Sequence, residues 1–116
     1  MAMLVWKDEN FKERSVDLEK VKSIQTVDEV YIWEIGCGKE VFEPGLSRRL
    51  YIKKAEECGK ELFIEDFETG ELKNTGVRVS DVSCIDYDPK CDSMIFYLKN
   101  GSTYAVNAES YAVRFI

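Results

Sequence analysis

The chain contains no histidine, and that absence removes more chemistry than any motif adds. Ser-His-Asp and Cys-His catalysis both need an imidazole as base. Histidine-ligated zinc, copper and non-haem iron sites go with it. Acid–base work by carboxylates or lysine stays open, but nothing marks out a pair among the 22 acidic residues. No catalytic residue, cofactor or metal site is therefore assigned, and the chain is expected not to be an enzyme.

Close cysteine pairs are missing too. A structural zinc site takes its sulfurs from a tight turn such as C-x2-C. Cys37, Cys58, Cys84 and Cys91 offer no such spacing. No run of about 18 apolar residues is present to span a membrane, and the start, Met1 to Lys7, lacks the apolar core of a signal peptide. The expectation is a cytoplasmic protein with free thiols. Cys58 and Cys84 would be small core residues, and Cys37 and Cys91 would lie in loops.

Positive charge is in short supply: 16 Lys and Arg face 22 Asp and Glu, a net charge of −6. That balance argues against nucleic acid or an anionic membrane as partner. It is also localised. Residues 56–71 hold Glu56, Glu57, Glu61, Glu65, Asp66, Glu68 and Glu71 against Lys60 alone, so this block carries the whole excess. Arg48, Arg49, Lys53 and Lys54 just upstream form the densest basic cluster.

Two apparent motifs fail on inspection. Gly36-Cys37-Gly38-Lys39 resembles the end of a phosphate loop, but Trp33 stands where its first glycine belongs and Glu40 replaces the hydroxyl. Asp86, Asp88 and Asp92 lie close together, yet Lys90 and the missing glycine spoil a calcium loop. Asp88-Pro89 reads more simply as a turn.

The 116 residues suit a single globular domain over 1–116. Strands are expected at 3–6, 30–35, 61–67, 77–87, 93–99 and 102–107, with further short ones between and after. Leu18, Val21 and Ile24 recur at three-residue spacing and predict a helix over about 16–24. Gly59, read as a residue following a helix, predicts another over 53–58; the whole stretch 46–58 reads as helix or strand. The fold class that follows is α+β: an antiparallel, meander-like sheet of about five to six strands with one or two short helices on one face. An all-β roll or small barrel is the alternative. No internal repeat, low-complexity tract or linker is read.

The clearest local signal is Asn100-Gly101 between two strand-forming runs. A two-residue loop would mix apolar side chains onto both hairpin faces. A three-residue loop with Gly101 left-handed pairs Phe96 with Tyr104 and Met94 with Val106, which segregates them better. The bulged register is predicted. Ile95, Tyr97, Thr103 and Ala105 then form a second face, still apolar enough to need a helix, a ligand or another subunit over it.

For function, these features favour a small acidic binding protein of adaptor, inhibitor or immunity type. Glu61, Phe63, Glu65, Phe67 and Glu68 would present an acidic-aromatic surface to a basic protein partner, with charges steering and aromatics holding. Homodimerisation through a sheet face or edge is compatible with this. The alternatives are a small-molecule pocket between sheet and helices, lined by Trp33, Tyr97 and Tyr104, and, less favoured, an enzyme using carboxylate or Cys/Lys chemistry.

Overall fold

The computed structural model describes residues 1–28, 30–36, 38–45 and 48–116. Alternation of apolar and polar side chains sets the strands. They are β1 (Met3–Lys7), β2 (Glu13–Asp17), β3 (Val21–Val27), β4 (Val30–Ile35), β5 (Gly38–Gly45), β6 (Leu50–Lys53), β7 (Glu61–Asp66), β8 (Leu72–Arg78), β9 (Val82–Asp88), β10 (Ser93–Leu98), β11 (Thr103–Asn107) and β12 (Tyr111–Phe115). Two antiparallel six-stranded sheets result, neither closed into a barrel. Sheet A runs β11-β10-β9-β6-β1-β2, and sheet B runs β5-β4-β3-β12-β7-β8.

The expected α+β class is overturned. No α-helix forms among the described residues, and the helical content is three 3-10 turns, Leu18–Lys20, Ala55–Glu57 and Val79–Asp81. The three-residue recurrence of Leu18, Val21 and Ile24 has another cause. A 3-10 turn brings residue i+3 over residue i, and a register shift then adds one residue to β3 between Val21 and Ser23. Leu18, Val21 and Ile24 all reach the core with no exposed surface, without a helix. Over 53–58, Lys54 adopts a left-handed backbone (φ 55) that ends β6 and starts the 3-10 turn. Gly59 has no positive φ and caps nothing.

The two halves of the chain repeat one another, a feature the linear reading did not detect. Strands β1–β6 correspond in order to β7–β12, and each sheet takes three strands from each half. The first half's β6 lies between β9 and β1, as the second half's β12 lies between β3 and β7. Leu50 faces Ile85 where Val113 faces Ile24. Leu18 N–H donates to the Ala2 carbonyl (2.9 Å), and Val79 N–H donates to the Lys60 carbonyl (3.0 Å). The β3 irregularity reappears in the β9–β10 pairing, between Tyr97 and Leu98. Val16, Leu18, Val21 and Ile24 thus match Val77, Val79, Val82 and Ile85, one pattern written twice.

Inward side chains of both sheets form one core cluster. Trp6 on β1 meets Trp33 on β4 edge-to-face, with centroids 5.2 Å apart. Such pairing adds to their large buried area. The 93–107 hairpin has the predicted bulged register, Phe96 opposite Tyr104 and Met94 opposite Val106, with Gly101 at φ 90. Its second face is an outer surface of sheet A, and no helix among the described residues covers it: Thr103 and Ala105 are exposed, Ile95 and Tyr97 half-buried.

Candidate functional site

Strand β7 alternates as its sequence demands. Leu62 and Ile64 point into the core, and Glu61, Phe63 and Glu65 face outward, each half-buried. Neighbouring strands engage all three. Phe63 sits between Arg114 on β12 and Asn74 on β8. Asn74 Nδ2 donates to Glu61 Oε2 (2.7 Å), and Arg114 Nη1 pairs with Glu65 Oε1 at 3.4 Å. On the outer face of β7, Arg114 therefore offsets the Glu65 charge, while Glu61 is held by a neutral amide and keeps its own.

Phe67 and Glu68 lie beyond the strand, in the β7–β8 turn. Asp66 Oδ1 accepts the N–H groups of Glu68 (2.8 Å) and Thr69 (3.2 Å), an Asx turn that orders the tip. Phe67 is 49% exposed and Leu72, where β8 begins, 45%. Glu68 and Glu71 make no ion pair among the described residues. The remaining acids of the block are engaged elsewhere: Glu57 with the Met1 amino group (2.9 Å) and Glu56 facing Lys99 at 3.9 Å.

Trp33, Tyr97 and Tyr104 do not meet in one pocket. Trp33 is fully buried inside β4. Tyr104 lies on the inward side of β11, packed partly on the core. Tyr97 lies on the outer face of sheet A, with the Arg49 guanidinium 5.2 Å above its ring.

Among the cysteines, Cys58 and Cys84 are buried and Cys91 is exposed, all as free thiols; Cys37 falls outside the described residues. Burial pushes the Cys58 thiol above its ordinary value, the opposite of nucleophile activation. Cys84 sits on the outer side of β9, between Tyr51 and Tyr97. The three aspartates near residue 90 are separately employed. Asp86 Oδ2 binds Arg49 (3.0 Å), Asp88 Oδ1 accepts from Lys90 N–H (2.9 Å), and Asp92 accepts from the Tyr87 hydroxyl. That last hydrogen bond is the main cause lifting the Tyr87 phenol to about 12. No group of three or more Cys, Asp and Glu among the described residues could hold a metal ion, and no helix there is long and apolar enough to cross a membrane.

Comparison with protein-family models, curated proteins and solved structures finds no match to this chain. The site must be read from its own geometry.

That geometry includes one concavity the sequence reading missed, on the outer face of sheet A beside β1 and β6. Val5, Trp6, Lys7, Glu13, Arg48, Arg49, Tyr51 and Lys53 line it, four cations against one carboxylate. Its sequence signal was the 48–54 basic cluster, with Tyr51 alternating with Leu50 and Ile52. A strand reading of 46–58 would have placed Tyr51 and Lys53 on one face.

Proposed function

We propose that this chain is a binding protein that offers the tip of its β7–β8 hairpin to a basic protein partner. One observation supports this above the rest: Phe67 and Leu72 stand half-exposed among Asp66, Glu68 and Glu71, on a turn that Asp66 orders. An ordered tip loses little conformational entropy on binding, and exposed aromatic and aliphatic side chains supply the buried contact. The surrounding carboxylates raise the encounter rate with a cationic surface. Strand β8 is also the edge of sheet B, so its free backbone groups are available to a partner strand.

The test is affinity capture from lysate with the wild-type chain and a Phe67→Ala/Glu68→Lys variant, each at low and high salt. A basic protein retained by the wild type, released by salt and lost from the variant is the expected result. Equal capture by both chains, or capture indifferent to salt, removes the reading. Size-exclusion at the same two salt concentrations separates a partner from self-association.

A further inference from the structure

The concavity on sheet A has a volume of about 360 Å³, within the range of small-ligand sites. Strand register builds it. Val5 faces Tyr51 across β1–β6, and Lys7 faces Glu13 across β1–β2. Val5 is almost fully buried beneath, while Tyr51 is 51% exposed, giving an apolar floor with a flat ring beside it. Four cations surround that floor. Lys53 is paired with Glu13 (2.9 Å) and Arg49 with Asp86 (3.0 Å). Lys7 and Arg48 form no ion pair among the described residues.

The internal repeat supplies a control surface. In the second half, Phe63 stands for Val5, Glu65 for Lys7 and Arg114 for Tyr51. There the Arg114–Glu65 pair spans the surface with its own charges balanced. The shared fold therefore does not require an exposed ring ringed by surplus cations. Locating that surplus in a chain of net charge −6 concentrates the field where anions would bind.

We propose that this groove binds a small organic anion: a flat apolar body lying on Val5 and Tyr51, with its carboxylate or phosphate held by Lys7 and Arg48. Both cations form charge-assisted hydrogen bonds to such oxygens, and Arg48 can do so with two N–H groups at once. The proposal is independent of the hairpin tip, which lies on sheet B.

Titration of the 15N-labelled full chain with phenyl phosphate and with benzoate tests it, using phenol and inorganic phosphate as controls. At least one aryl anion should give saturable shifts at the amides of Val5, Lys7 and Tyr51. Lys7→Glu and Arg48→Glu should each weaken that binding by about tenfold or more. Lys73→Glu, on the exposed edge strand β8, should leave it unchanged. Unshifted core amides in each variant confirm that the fold is retained. Shifts centred elsewhere, no saturable shift from either aryl anion, inorganic phosphate binding as tightly as phenyl phosphate, or unchanged affinity in both groove variants would overturn the proposal.

Discussion

Tyr31 lies inside β4 with no exposed surface, and its hydroxyl has no hydrogen-bond partner among the described residues. Burial pushes its phenol well above the ordinary value. An unsatisfied buried polar group costs about 1–3 kcal/mol. Tyr31→Phe keeps the ring and removes the hydroxyl, so chemical denaturation should show it as stable as the wild type or more stable by about 1 kcal/mol. Lys54 presents the converse problem, in its backbone. It holds a left-handed conformation with an exposed side chain and no side-chain capping bond. That conformation costs a non-glycine residue about 1–2 kcal/mol. Lys54→Gly should therefore raise the denaturation midpoint by the equivalent of about 0.5–1 kcal/mol, after the added flexibility of the unfolded chain is counted. The αL glycine Gly101 shows the favourable case. Its turn chemistry was legible because it depends only on neighbouring residues.

At the scale of elements, the 3-10 turns are corners that carry the chain between sheets. Leu18–Lys20 links β2 in sheet A to β3 in sheet B, and Val79–Asp81 links β8 in sheet B to β9 in sheet A. Leu18 and Val79 anchor these corners, each with no exposed surface. Leu18→Ala should destabilise by about 2–5 kcal/mol through lost transfer energy and the cavity left behind, and Val79→Ala by somewhat less because fewer atoms are removed. A loss under about 1 kcal/mol at both sites in equilibrium unfolding would contradict the corner role. These positions also explain where the sequence reading failed. Leu18, Val21 and Ile24 satisfy a helical spacing as well as they satisfy a 3-10 turn followed by a bulge. Val79, Val82 and Ile85 repeat the pattern, and reading the two stretches together would have exposed both the repeat and the ambiguity. The outward placement of Glu61, Phe63 and Glu65 was legible from alternation alone. The neutralising Arg114 was not, because it arrives from a strand some fifty residues away (|i−j| = 49).

For the whole molecule, the exchange of strands has a direct consequence. Residues 1–55 and 56–116, produced as separate chains, each lack the partners that complete both sheets. Either half alone should show the collapsed amide spectrum of an unfolded chain, and the mixed halves should recover dispersion. A folded, monomeric half would refute the mutual dependence. Stability should also depend on pH at both extremes. Backbone N–H donation from Lys12 is the main cause holding the Asp8 carboxyl below the ordinary range. Its contribution is therefore present above the unfolded value, about 4, and is lost as pH falls through the lower folded value. Tyr87 is shifted the other way. Its contribution is present below the ordinary value, about 10, and is lost as pH rises through about 12. Thermal midpoints measured across pH should fall at both ends, with Asp8→Asn flattening the acid limb and Tyr87→Phe the alkaline one.

The sequence by itself determined what neighbouring residues can encode: the strands with clean alternation, the 93–107 register through its turn glycine, and the concentration of net charge in residues 56–71. Only the tertiary structure decided what distant partners impose. It converted the three-residue apolar spacing into corners, placed β6 between β9 and β1, and brought Lys7 alongside Arg48 and Tyr51. The physical reason is range. A turn's dihedral preferences act over a few residues, whereas a strand position is fixed by the face it buries against segments far along the chain.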